Sequence, residues 1–380
     1  MDKETIKISI FHSLVKMLTA ALSFFLGMYF VQIGLSGTQI GIIFALSTVT
    51  SILTILPSGF SNDKFKSKYL IAISLLFIAI QYYGMAETTY FPTLLALFLI
   101  GGIGATLYSA SADSIFHKST KKKNINKKIG IFQGLHFLTI GIGMITAGYL
   151  LEIDFQFLSL FKYLSFGFIA LAITSIFILP KSVTTELDLV AYKKDLFSKK
   201  VILFMLIVFL FAIHFGAEST SYGLFVKETL GLSPLYMGLY MGVPIITMGL
   251  TALIIAKNIH RWKATNILLF GLFVSGSGHI LMTLGSPLVS MLFRTYHEVG
   301  DAAWFFFLYL GVNKLFDLKR IGGNASIFIL VTTMGSTLGA LVTGPLGEHY
   351  GYDIALIVTG ITTLIAFTLA LQFKQYFDHN

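Results

Sequence analysis

The chain has 380 residues, of which 55% are hydrophobic and only 12% charged, and its mean hydropathy is +0.81. That is too little polar material to clothe a water-soluble globule of this length, so lipid must be the solvent. With no water in a bilayer core, only helices or a closed barrel satisfy the backbone, and the apolar runs here are far too long for barrel strands.

Taken in chain order, apolar runs of about twenty residues predict spans near 8–31, 39–60, 69–85, 91–116, 129–151 and 158–179. The longest hydrophilic stretch follows, KSVTTELDLVAYKKDLFSKK at 181–200, which reads as a linker between halves. Six more spans are expected near 201–226, 235–255, 264–284, 287–312, 322–346 and 352–373. The first is too long for a signal-peptide core and MDKETIK ahead of it has no net positive charge, so no cleavage is expected.

A formal charge of +9 invites an anionic partner such as nucleic acid, but the placement of the basic residues argues for topology instead. All 27 except Lys16, Lys162, Lys227 and Arg294 fall at the two ends, in the even-numbered loops or in the linker. By the positive-inside rule both termini are then cytoplasmic, in a cell membrane. The lysine cluster at 118–128 reads as such a loop, although it could also meet anionic headgroups. With no cysteine there is neither disulfide nor thiolate metal ligand, and nothing calls for a cofactor.

An internal repeat emerges on comparing the halves. FVQIGLSGTQIG at 30–41 matches FVKETLGLSPLYMG at 225–238, sharing Phe-Val, then Gly-Leu-Ser, then a glycine. The offset is near 197, and nearly the same shift sets Gly104 and Tyr108 against Gly300 and Trp304. The loop after the second span reads GFSNDKFKSK, close to a Gly-x-x-x-Asp-Arg-x-Gly-Arg-Lys motif. On the repeat and this motif the chain resembles the major facilitator superfamily. The resemblance implies an all-α integral membrane protein of twelve transmembrane helices in two pseudo-symmetric six-helix bundles, at 1–180 and 201–380. It also implies a cytoplasmic gate at Gly59, Asp63 and Lys64, with Gly59 for close approach and Asp63 at a helix end. Glycines in the fifth span (Gly130, Gly134, Gly141, Gly143, Gly148) and the eleventh (Gly335, Gly339, Gly344, Gly347) are expected to let helices cross tightly between the halves.

Ionisable residues inside a span cost about 2.5 to 3.5 kcal/mol each at the centre, so they usually mark function. Nearly all of those recognised lie in the second half. RTYHEVGDAAW in the tenth span sets Arg294, His297, Glu298 and Asp301 on one helical face, and HFGAESTSYG in the seventh sets His214 four residues before Glu218. Arg294 is expected to pair with Glu298 or to gate. Asp301 falls near the midplane, where alternating-access transporters hold their site. Similarity to small multidrug exporters implies Glu218 and Asp301 as proton-coupling carboxylates. Tyr222, Tyr296 and Trp304 are the aromatic cavity candidates. Lys16 would either meet an anionic group or snorkel, and His12, His136 and His279 look isolated.

The reading is thus a secondary active transporter acting as a monomer, exporting amphipathic organic compounds against protons. Alternatives of the same fold are a divalent-metal transporter, with His214, Glu218, His297 and Asp301 as its metal site, or a small-metabolite transporter. A non-transporting sensor or lipid-handling protein would not need charges aligned inside the core. No metalloprotease helix, phosphate loop or nucleophile elbow suggests an enzyme.

Overall fold

The computed structural model describes residues 3–119, 124–184 and 189–377. Parts of the lysine cluster (120–123) and of the linker (185–188) therefore lie outside the described residues. The rest is helical, from α1 (Lys3–Ser23) and α2 (Leu26–Gln32), which together make the first span, through α3 (Gly37–Lys64), α4 (Ser67–Glu87), α5 (Phe91–Ser119), α6 (Ile125–Glu152) and α7 (Phe157–Ile178). A short linker helix, α8 (Leu189–Leu196), leads to α9 (Lys199–Ala217), α10 (Pro234–Asn258), α11 (Ala264–Leu281), α12 (Pro287–Leu315), α13 (Ile321–Tyr350) and α14 (Tyr352–Gln372).

Among the described residues eleven helical stretches are long and apolar enough to cross a membrane. The twelfth is α12, whose 29 residues would reach about 43 Å. Its composition is diluted by Arg294, Glu298 and Asp301, all of them buried at 2–3% exposure and so turned away from lipid. An even number of crossings returns both ends to one face, and the basic loops gather there.

The repeat seen in the sequence has a backbone counterpart. Gly34 and Gly231 both take positive φ (84° and 67°), the left-handed turn that glycine adopts without strain. Each is followed two residues on by a serine at a helix N-cap, Ser36 before α3 and Ser233 before α10. Ser36 forms a full capping box with Gln39.

Helix contacts run within 1–180 (α1 on α6 and α7, α4 on α5 and α7, α3 on α5) and within 201–380 (α9 on α13 and α14, α11 on α12 and α14, α10 on α12). Among the described residues these sets meet chiefly along two seams, α6 against α10 and α3 against α13. Four of the five fifth-span glycines do what their spacing suggests: a Cβ on Gly130, Gly134, Gly141 or Gly148 would strike α10, whereas Gly143 turns to the Met17 backbone of α1 within the first set. The eleventh-span glycines behave otherwise. Gly335 and Gly339 of α13 press on Phe209 and Ile213 of α9, within the second set rather than across the interface. A stripe of small residues fixes how near a neighbour comes, not which neighbour it is.

Candidate functional site

The motif of the second loop becomes a clasp at the basic face. Asp63, fully buried, accepts hydrogen bonds from the backbone N–H of Gly322 (3.1 Å) and Gly323 (2.7 Å) at the start of α13. A carboxylate there meets the positive end of the helix dipole. The same group accepts from the Tyr192 hydroxyl of α8 (2.6 Å) and pairs with Lys118 Nζ of α5 at 2.7 Å. Gly59, as expected, brings α3 against α13: a Cβ there would meet Ser326 and the Gly322 carbonyl. Lys64 takes no part in the clasp. It is exposed above the Phe65 ring, and the cation that reaches Asp63 comes from Lys118 instead.

The linker is more than a tether. Asp195 of α8 receives a two-point bond from Arg320 (Nε 2.9 Å, Nη2 3.2 Å) and one from Asn324 Nδ2 (2.9 Å). Burial pushes this carboxyl up, but the Arg320 fork and Asn324 outweigh it and hold it below the usual carboxylate range. Burial, then the bond to Asp63, pushes the Tyr192 phenol up, so it stays protonated and donating. A depressed carboxyl contributes stability above its unfolded pKa of about 3.9 that is lost only as pH falls through the lower folded value. Tryptic cleavage after Lys193 and Lys194 is therefore expected to stay slow through mildly acid pH and to accelerate in Asp195→Asn. Equal rates in the two proteins would mean that Arg320 and Asn324 do not hold α8.

Among the described residues the ionisable side chains inside the spans gather in two clusters. The first joins the halves. Asp113 of α5 accepts a hydrogen bond from Tyr309 of α12 (2.5 Å), and His117 lies 3.3 Å from Asn313 one turn on. Both pairs are separated by 196 residues, close to the repeat offset. Side chains that touch their own repeat equivalents mark the pseudo-two-fold axis, so this cluster sits at the centre of the molecule. Around it His12 bonds Tyr108 (2.9 Å) and His136 (3.0 Å), with Phe132 stacked on His12. Lys16 lies within electrostatic reach of Asp113 rather than snorkelling. His12 and His136 are thus partners, not isolated histidines. Asp113 escaped the sequence reading because it lies three residues from the expected end of its span. There a carboxylate reads as an interfacial charge, but α5 runs on to Ser119.

The second cluster lies off the axis, between α9, α11 and α12. Arg294 Nη1 is 2.5 Å from Glu218, its Nη2 pairs with Glu298 one turn on, and its guanidinium sits 4.7 Å from the centroid of the Tyr222 ring. His297 Nε2 is 3.6 Å from both Glu218 and Asp301, and His214 Nε2 is 3.5 Å from Asp301. The seventh span is not a regular helix: α9 gives way at Glu218 to a π-helical turn over Glu218–Tyr222, with another over Phe225–Thr229. Such turns recur at functional positions.

His279 of α11 belongs to this cluster too, its ring 4.9 Å from that of His297 and 5.3 Å from that of His214. Two expected aromatic residues lie elsewhere. Trp304 is 1% exposed and stacks on Phe211 in the core of the second half. Tyr296 is 37% exposed and lines an outward apolar crevice with Leu281, Val289, Leu292 and Phe293. One step along a helix turns a side chain by about 100°, which carries Tyr296 off the face of His297.

The family model of the Major Facilitator Superfamily matches residues 8–312. Multidrug resistance protein 1 of Bacillus subtilis (strain 168) is 24% identical over 355 residues, covering 89% of this chain and 88% of that one. The structure superposes on the proton:xylose symporter XylE bound to 6-bromo-6-deoxy-D-glucose with a TM-score of 0.77 at 14% identity, covering 97% of this chain and 96% of that one. It superposes on the human organic anion transporter MFSD10 (TETRAN) with a TM-score of 0.71 at 15% identity, covering 97% and 100%. These two likenesses carry the fold. The chain belongs to the major facilitator superfamily and is a multi-pass membrane transporter of the secondary, non-enzymatic kind.

Proposed function

We propose that the protein exports amphipathic organic compounds in exchange for protons, by rocking 1–180 against 201–380 in a cell membrane with both termini in the cytoplasm. Glu218 and Asp301 carry the proton, and Arg294 signals its loss or gain. One observation bears most of the weight. Glu218 is held by Arg294 and faces His297, yet its side chain keeps 21% exposure while those of His297 and Asp301 keep 0% and 4%. A carboxylate that water can reach, bound to a permanent cation, can load a proton and release Arg294 in doing so. His297 stands between Glu218 and Asp301 at 3.6 Å from each and can hand the proton inward.

The axial cluster suits the solute. Lys16 and Asp113 offset each other in charge, and Tyr108, Phe132 and Tyr309 offer aromatic faces beside them. The name of the Bacillus relative, a multidrug resistance protein, supports a drug-like organic cargo.

Proton release should follow when lipophilic cations are added to purified, detergent-solubilised protein kept in chelator. Glu218→Gln and Asp301→Asn are each expected to abolish that release. Release that persists in both variants would remove these two acids from the coupling, and none from wild type with any such cation would overturn proton exchange for this cargo.

A further inference from the structure

The off-axis cluster poses a hydrogen-bonding problem that protein groups alone leave open. His214 donates Nδ1–H to the Phe211 carbonyl (2.5 Å), and His297 donates Nδ1–H to the Ser275 carbonyl (2.8 Å). Each neutral ring is thereby fixed in the tautomer whose Nε2 carries a lone pair. For His279 the logic runs through Thr359. Its hydroxyl lies 3.2 and 3.1 Å from the α14 carbonyls of Ala355 and Leu356, and with its one proton shared between them it accepts from His279 Nε2 at 3.4 Å. That leaves the lone pair of His279 on Nδ1.

These three nitrogens, His214 Nε2, His279 Nδ1 and His297 Nε2, have no hydrogen-bond partner among the described residues, and neither has Asp301 Oδ1. All three rings are fully buried. One donor atom from each, with a carboxylate oxygen of Glu218, lies within 4.8 Å of every other. Lone pairs facing one another and two carboxylates repel unless something positive lies between them. With Glu218, Glu298 and Asp301 ionised and the three imidazoles neutral, Arg294 alone leaves the cluster two positive charges short.

We propose that this pocket is a divalent-cation site, with His214 Nε2, His279 Nδ1, His297 Nε2 and a Glu218 carboxylate oxygen as ligands. Three imidazoles and one carboxylate, drawn in around an ion at about 2.0–2.1 Å, form the four-coordinate set that suits zinc, cobalt or nickel and not magnesium or calcium. Each imidazole already has an outer acceptor on its other nitrogen, the arrangement that orients metal-ligating histidines. Asp301 completes the charge balance beside the ion. Arg294 acts as a positioning residue, since its bond to Glu218 aims that carboxylate while leaving it lone pairs to spare. The site goes beyond the export reading and does not rest on it: the ion and the proton use the same Glu218 carboxylate and His297 Nε2, so the ion holds the cluster only while the proton is off it.

Cobalt(II) is the probe. Tag-free protein in detergent, stripped with chelator, is expected to take up one equivalent of Co²⁺ with visible d–d bands typical of four-coordination. Zn²⁺ should displace it and Mg²⁺ should not. His279→Ala and the bulkier His279→Gln are expected to weaken binding at least tenfold while still eluting as monodisperse protein in chelator. Thr359→Val, which removes only the outer acceptor of His279, should weaken binding by roughly tenfold.

Absence of the bands in wild type would overturn the site and favour two protons as its charge. Undiminished binding in both His279 variants would overturn it equally. Because proton release by lipophilic cations is read in chelator, failure of the export reading and failure of the metal site are distinguishable.

Discussion

Asp63→Asn is expected to shift the protein strongly toward a state open at the basic face. In the clasp, Asp63 neutralises Lys118, whose side chain is 1% exposed, and accepts from Tyr192, Gly322 and Gly323. Asparagine keeps the shape but removes the charge, and its amide nitrogen turns donors toward donors. Breaking a buried ion pair from one side costs about 3–5 kcal/mol, because the partner charge stays behind uncompensated.

Most of that cost falls on the state in which α3 and α13 meet: the bonds from Gly322, Gly323 and Tyr192 vanish when the seam parts, whereas Lys118 stays beside residue 63 within the first set but is then reached by water, which compensates its charge. The closed-to-open ratio should therefore fall by roughly a hundredfold or more, at 1.36 kcal/mol per decade. Unfolding temperature should move far less. The chain has no cysteine, so a cysteine pair at exposed Lys64 and Lys319 can carry spin labels without background. Pulsed dipolar spectroscopy should give one dominant short distance in the parent and a large longer-distance population in Asp63→Asn. Superimposable distributions would mean that the clasp does not hold this face shut.

The clasp also marks where the sequence was legible and where it was not. Gly59 and Asp63 were readable because a local motif fixes them and a helix N-terminus is a generic anion site. Lys118 was not, because it comes from another helix 55 residues on, and any of the neighbouring lysines would satisfy the same charge pattern. Tyr192 and Asp195 were hidden for a different reason: a polar stretch of twenty residues reads as solvated chain until a folded partner supplies Arg320 and Asn324.

In the membrane, helical periodicity placed Arg294, His297, Glu298 and Asp301 on one face correctly, since a step of three or four is a property of the helix itself. Periodicity cannot say that His279, on a separate helix with no charge beside it, turns to the same point. Nor can it say that Trp304, one turn past Asp301, leaves the polar face for the core. The axial pairs were in principle within reach. With the offset known near 197, Asp113 and Tyr309 are repeat equivalents, and any two equivalents that lie on the symmetry axis must touch.

The other large effect is expected at Arg294. Its guanidinium serves Glu218 on α9 and Glu298 on its own helix, and it lies over the Tyr222 ring. Arg294→Ala would leave two carboxylates facing each other in a site from which water is largely excluded, the situation that costs about 3–5 kcal/mol for a single broken pair. Loss of Glu218 alone is milder, because Arg294 keeps Glu298.

The ordering in thermal unfolding should be wild type, then Glu218→Gln, then Arg294→Lys, with Arg294→Ala lowest. An ammonium keeps the charge but not the fork that reaches both acids. Adding Glu218→Gln to Arg294→Ala should recover part of the loss, because one of the two stranded charges is gone. The two substitutions should then be non-additive by about 1–3 kcal/mol. Strict additivity would show that Arg294 and Glu218 act separately. In that case protonation of Glu218 would have no route through Arg294 to α12, and the export mechanism proposed for this cluster would lose its link between proton and conformation.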